Sequence, residues 1–314
     1  NVNNPSNIYY FDQEYVGPNL MDWVQNKQLS INQFKHHYSK LNQQLWEHGY
    51  SRFTQQLSDS ARQSRWTQFY QDRLLTRLNQ LSLKLFNTSP DLGDTFDTLR
   101  TQPILIVSVN QSSPTPINNL LWYAPHILAD EDWQHRLAPH LKTAITHQDT
   151  NPENICWNGP NSTFKLIDCH GGHDTHPSRD PNNWDGCQEP AFDFGKCMFG
   201  LDGFSDILHK RYSLTYHKGS GIWHYDRPQD YTDFRNAVIE CLHDPALASL
   251  RDQEKNLIDR VKFICSLQYL MDLVYRDDLK TITAQVIQAS LTFQEFFSDE
   301  YHDLPTQFIT KSNI

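Results

Sequence analysis

Apolar residues recur along this chain at helical spacing over most of its length, interrupted by a few short runs in which they cluster. Ile8 to Val16, reading IYYFDQEYV, is rich in aromatic and β-branched side chains and stops at Gly17-Pro18, which predicts a strand entering a turn. The helical period then takes over. Leu20, Trp23 and Val24 mark a short helix, and Phe34, Tyr38, Leu41 and Leu45 put one stripe on a second. A third helix begins near Ser58 or Ser60, either of which can cap it, and carries Trp66, Phe69, Tyr70, Leu74, Leu78 and Leu81. The run Ile104 to Val109 fits a buried strand or a helix segment interrupted by the polar stretch Asn110 to Pro116. Two shorter runs, Ala144 to Thr146 before His147 and Phe164 to Ile167 before Asp168, are bounded by polar turn residues, as strands of a small hairpin would be. After Pro190 the pattern is helical again, with Phe192, Phe199 and Leu201 as anchors. Tyr212 to Tyr216 and Ile222 to Tyr225 flank His217-Lys218-Gly219-Ser220-Gly221 and predict a second hairpin. From Asp230 to Glu300 the stripes, such as Leu257, Val261, Ile264, Leu267 and Leu270, predict three helices.

Composition agrees with a packed, mostly helical body. Of 314 residues 38% are hydrophobic and 12% aromatic, with only 12 glycines, which excludes a disordered chain and a glycine-rich array. The formal net charge of -10 argues against broad nucleic-acid binding, which needs surplus Lys and Arg, and favours a neutral or cationic small molecule as partner. Cys156, Cys169, Cys187, Cys197, Cys241 and Cys265 form no CxxC pair, so reduced, buried thiols are expected rather than a zinc module or a disulfide scaffold. No apolar run approaches a membrane span, and the N-terminus lacks a basic segment followed by an apolar one; the expectation is a cytoplasmic protein. The chain starts at Asn1 rather than Met, which suggests a fragment of something longer.

Candidate chemistry concentrates in one stretch. His147-Gln148-Asp149-Thr150-Asn151-Pro152-Glu153-Asn154 is an HxDxxxxN string, and Asp168 follows across a short hairpin. Phosphoryl transfer from a nucleotide needs a carboxylate to orient and deprotonate the attacking hydroxyl, and oxygen ligands to hold Mg²⁺ against the phosphates. Asp149 suits the first task, Asn154 and Asp168 the second, since one carboxylate and one amide oxygen suffice for a cation that keeps several waters. His147 would brace the loop through its ring nitrogens. A plain solvated loop would also use Asp, Asn and Pro, for turn reasons. The flanking apolar segments, and an Asp at hairpin distance, favour chemistry.

This stretch resembles the aminoglycoside phosphotransferase and choline kinase superfamily, whose catalytic loop reads HxDxxxxN and whose metal-binding Asp ends the next strand. The resemblance implies an α+β fold, the mostly helical C-lobe of a protein-kinase-like domain with a small catalytic β-hairpin. It implies Asp149 as catalytic base, His147 as loop brace, Asn154 and Asp168 as Mg²⁺ ligands, and ATP or another NTP as phosphoryl donor. Glu189-Pro190-Ala191-Phe192-Asp193-Phe194-Gly195-Lys196 is similar to the family's DPAxDLA segment, which implies a structural Asp193 tying a helix start to the loop. Asp193-Phe194-Gly195 then only imitates the metal-binding triplet of protein kinases, because Asp168 fills that place. Tyr10 to Met21 is similar to the hinge between lobes, with the Glu14 carbonyl and the Val16 amide facing the adenine.

The resemblance covers the chain from Glu14 onward and divides it into residues 1–17, the end of an N-lobe with its hinge strand, and residues 18–314, the helical catalytic lobe. The phosphate-binding Lys, its Glu partner and a glycine loop have no counterpart upstream, since residues 1–13 contain neither Lys nor Gly. An N-lobe preceding Asn1, or one supplied by a partner chain, is expected. His170, His173 and His176 read as a polar loop at the rim of the site rather than a zinc centre. Trp184, Asp185 and Glu189 are candidates for holding a sugar ring or a cation. The expected activity is transfer of the γ-phosphoryl group of a nucleotide to a hydroxyl of a small molecule, such as an aminoglycoside, choline, ethanolamine, an amino acid, or a sugar or polysaccharide precursor. A pseudokinase-type binding or scaffold domain is the rival, and a metal-dependent hydrolase using Asp149 and Asp168 a more distant one.

Overall fold

Several helices start on caps that their sequence supplies, as the computed structural model shows for the residues it describes: 17–143, 146–159, 161–168, 189–227, 229–305 and 308. Helix α1 (Leu20–Gln25) starts at Asn19, whose side chain accepts from the Asp22 amide at 2.8 Å. Helix α2 (Ile31–Gln44) starts at a Ser30/Gln33 capping box and continues through a π-helical turn, Leu45–Gly49, and a short 3-10 turn, Tyr50–Phe53, into strand β1 (Thr54–Gln56). Ser58, not Ser60, caps α3 (Asp59–Arg65), which runs through a second π-helical segment into α4 (Arg73–Thr88). Pro90 opens α5 (Pro90–Thr101), where its missing amide costs no hydrogen bond.

The run that fitted either element is a strand, β2 (Ile104–Val109), followed by β3 (Thr115–Asn118), α6 (Leu120–Ala129), α7 (Glu131–Leu137) and β4 (Leu141–Thr143). Beyond the loop at 147–154 come β5 (Ile155–Cys156), β6 (Lys165–Leu166), α8 (Pro190–Phe199), a π-helical segment at Gly200–Phe204, and α9 (Ser205–Leu208). The hairpin β7 (Ser213–His217) and β8 (Ile222–Asp226) precedes α10 (Thr232–Leu242), α11 (Ala248–Gln253), α12 (Leu257–Asp272), α13 (Leu279–Phe296) and α14 (Ser298–Leu304). The three long C-terminal helices match the stripes; α11 and α14 are too short to print one. The fold is α+β, with helices dominant and three small sheets among the described residues.

The largest sheet has the order β3-β2-β8-β7. Its outer pairs are antiparallel, but β2 and β8 run parallel, with Ile106 opposite Ile222 and Val109 opposite Tyr225. The hairpin beside the loop is formed by residues 165–166 and Ile155–Cys156, both of which follow the loop. Two-residue strands are too short to show alternation. Upstream of the loop it is Leu141–Thr143 that pairs, with Thr54–Gln56, while Ala144 and Ile145 lie outside the described residues.

Helix α8 forms the centre. All its residues are buried except Lys196, so it is walled in by other elements on nearly every side, with Asp193 and Lys196 as its charged side chains. Its closest neighbour is α12: a Cβ on Gly195 would stand 2.5 Å from Ile264 Cγ2, so only glycine lets the two backbones approach this closely.

Two buried charge networks flank this pair. Glu189 accepts from Tyr70 Oη at 2.7 Å and from Arg260 Nη2 at 2.5 Å, and Arg260 also pairs with Glu254, whose carboxylate takes the His140 and Leu141 amides. Burial pushes the Glu254 carboxyl up, against the pull of the Arg260 guanidinium. On the other flank Asp202 accepts from Arg235 Nη1 at 2.8 Å, Tyr269 Oη at 3.1 Å and Gln288 Nε2 at 3.1 Å, which joins the segment after α8 to α10, α12 and α13.

Cys156, Cys197, Cys241 and Cys265 are buried free thiols, and burial pushes Cys197 up to about 12. Among the described residues no helix is long and apolar enough to cross a membrane.

Candidate functional site

The loop at 147–154 is held along its whole length. Asp193, 1% exposed on the first turns of α8, accepts the His147 amide at 2.9 Å, the Gln148 amide at 2.7 Å and the Tyr50 hydroxyl at 2.5 Å. Burial raises the Asp193 carboxyl above its ordinary value, and these three donors oppose the rise by stabilising the charged form. The next contact is with the Asp193 carbonyl, which accepts from the Thr150 hydroxyl. Gln148 takes a left-handed φ of +65°, which turns the chain so that consecutive amides face one carboxylate. Further along, Glu153 accepts from Ser205 Oγ at 2.7 Å and lies 3.1 Å from His209 Nε2. Gly200 lets the π-helical segment lie flat beneath the loop; a Cβ there would sit 2.2 Å from Pro152 Cδ.

His147 is 6% exposed, and its ring is fixed at both nitrogens. Nε2 lies 2.9 Å from the Ile167 carbonyl, which can only accept, and Nδ1 lies 3.3 Å from the Asp149 amide, which can only donate. Those partners select the Nε2–H tautomer. The ring thereby ties the loop to the residue before Asp168.

Asp149 is oriented from two sides. Asn154 Nδ2 donates to its Oδ2 at 2.9 Å and to its carbonyl at 2.9 Å, and Lys196 Nζ stands 3.1 Å from its Oδ1. With its amide nitrogen turned to Asp149, Asn154 has only its oxygen to offer a cation. The hairpin register brings Asp168 alongside: the Ile167 amide donates to the Asn154 carbonyl at 2.9 Å, so Asp168 is the first residue beyond that bond. Asp168 is exposed and takes a left-handed φ of +55°, a turned backbone that non-glycine residues adopt at a cost and that clusters at functional sites. Among the described residues no three His, Cys, Asp or Glu side chains converge on a metal-sized site. A cation here would be held by oxygens of mixed origin, as Mg²⁺ commonly is.

The structure thus gathers His147, Asp149, Asn154, Asp168 and Asp193 around one loop. Glu14 and Val16 lie outside the described residues, as do His170, His173, His176, Trp184 and Asp185. Glu189 is no ring or cation binder: it is fully buried, and its carboxylate serves Tyr70 and Arg260. Two participants escaped the sequence reading. Tyr50 lies 143 positions from Asp193 and leaves no local signal. Lys196 did leave one, because residues three apart share a helix face and Lys196 stands three after Asp193.

What these residues could do chemically is position a hydroxyl at Asp149, beside oxygens suited to a hard cation. Comparison of the chain with protein-family models, with curated proteins and with solved structures returns no match.

Proposed function

We propose that this chain carries the catalytic lobe of a Mg²⁺-dependent phosphotransferase, similar to aminoglycoside phosphotransferases and choline kinases, acting on a hydroxyl of a small molecule with ATP or another NTP as donor. The observation that carries the reading is the double hold on Asp149, whose carboxylate is fixed by Asn154 while the same Asn154 anchors the hairpin that presents Asp168. A loop serving only as a turn has no need of a carboxylate so constrained, nor of a buried Asp193 beneath it.

In this reading Asp149 accepts a hydrogen bond from the acceptor hydroxyl, aims its oxygen at the phosphorus and takes its proton as the new bond forms. Asn154 Oδ1 and the Asp168 carboxylate would hold Mg²⁺, which when bound neutralises charge on the phosphates. His147 keeps the loop and the Asp168 strand in register, and Asp193 keeps the loop backbone from relaxing away.

Two substitutions separate the roles. Asp149→Asn should lower turnover by on the order of 10²- to 10⁴-fold with little change in nucleotide affinity, and Asp168→Ala should abolish Mg²⁺-dependent nucleotide binding. Isothermal titration calorimetry with ATP, with and without Mg²⁺, reads the binding, and phosphate release from Mg·ATP reads the turnover. Equal loss of binding in the two variants would contradict the assignment, and no Mg²⁺-dependent binding by the wild-type protein would favour a scaffold role.

A further inference from the structure

Lys196 is the one residue of α8 that is not buried, and its position is specific. Its Nζ lies 3.1 Å from Asp149 Oδ1, with its side chain only 13% exposed, and the Phe199 ring lies 5.6 Å from the ammonium. It grows from the same helix whose Asp193 carries the loop backbone, so ammonium and carboxylate are located by one rigid element. A lysine placed only for solubility would extend into water. This one turns into the site, and an ammonium has three N–H donors, of which one is sufficient for Asp149.

The chemistry next to Asp149 supplies an acceptor for the others. If the attacking hydroxyl hydrogen-bonds to Asp149, it lies about 2.7 Å from that carboxylate, and the phosphoryl group it attacks lies about 3 Å beyond. A flexible four-carbon stem that already reaches Asp149 Oδ1 can span the carboxylate and a phosphoryl oxygen together. We propose that Lys196 is a catalytic residue that bridges Asp149 and the transferred phosphoryl group, neutralising the negative charge on its non-bridging oxygens. This inference rests on the phosphotransferase reading above.

The step balances without a further reactant. A lone pair of the acceptor oxygen forms the bond to phosphorus. The bridging P–O bond breaks, and its electron pair leaves on the nucleoside diphosphate. The hydroxyl proton passes to Asp149, and Lys196 keeps its proton throughout, acting as a fixed charge.

The test uses the full-length protein, with Mg·ATP and Mg·ADP as titrants and release of inorganic phosphate from Mg·ATP, water being the acceptor, as the activity. Lys196→Gln should lower kcat by on the order of 10²-fold and erase the preference for ATP over ADP, and Lys196→Arg should restore part of both. Asp149→Asn should keep the preference, since the contact that creates it is to the phosphate. Thermal unfolding of each variant identifies loss of fold, and the arginine variant keeps the test alive if the glutamine variant does not fold. The proposal is overturned if Lys196→Gln keeps the wild-type ATP-to-ADP ratio, or if Asp149→Asn erases it equally, which would make Lys196 only a support for Asp149. If the wild-type protein binds neither nucleotide, the phosphotransferase reading falls and this inference falls with it.

Discussion

His140 shows how a partly buried ring among cationic side chains makes stability depend on pH. Its Nε2 lies 3.1 Å from Arg62 Nη2, and a guanidinium can only donate, so Nε2 must accept and carry no proton. Burial, then the charges of Arg62, Arg260 and Lys255, lower the ring to about 4. The unfolded chain, titrating near 6.5, binds the proton that the folded one refuses. Stability from this group is therefore full above about pH 6.5 and is lost as pH falls towards 4. Urea unfolding midpoints should drop across that window, and His140→Gln should flatten the drop. Equal slopes in both proteins would remove His140 as the cause. At the same scale, residues 147, 149, 154 and 168 were legible as a group through the HxDxxxxN spacing and the Asp that follows it, and the structure brings them together. Asp193 was legible only through resemblance, since a lone helical Asp has no spacing of its own.

Between elements, the deciding contact is the crossing of α8 on α12. Gly195→Ala places a methyl group 2.5 Å from Ile264 Cγ2, closer than carbon atoms approach, so either a side chain or a helix must move. The expected cost is about 1–3 kcal/mol. Adding Ile264→Ala, which removes the clashing Cγ2, should recover part of it in a denaturation series. A wild-type midpoint for Gly195→Ala alone would mean that the helices yield freely. Long helices such as α4, α12 and α13 were readable from their stripes, as each presents many turns to a core. The short elements were not. Ile155–Cys156 becomes a strand only because Lys165–Leu166 lies opposite, and Ile104–Val109 is settled as a strand by β3 and β8 on its two sides. Tertiary partners, absent from any local window, decide such runs.

For the molecule as a whole, the buried Asp202–Arg235 pair joins helices drawn from distant parts of the chain; both side chains are at most 3% exposed. Arg235→Met should cost about 3–5 kcal/mol, because the buried Asp202 carboxylate would lose its ion-pair partner and keep Tyr269, Gln288 and Thr292 as its side-chain donors. Asp202→Asn added to it should return part of the loss, read from chemical unfolding; a double variant no better than the single would show that packing, not charge, was at stake. The parallel pairing of β2 with β8 has a different kind of consequence. Strand β7 pairs with β8 across a short turn, whereas the parallel pairing of β2 with β8 has to close the long chain segment between Val109 and Ile222, whose entropy must be overcome before the contact is made. The loop bearing Asp149 lies inside that segment. A chain cut anywhere between Val109 and Ile222 would have to close the sheet by association of two pieces, and the assembly of the site would then depend on protein concentration.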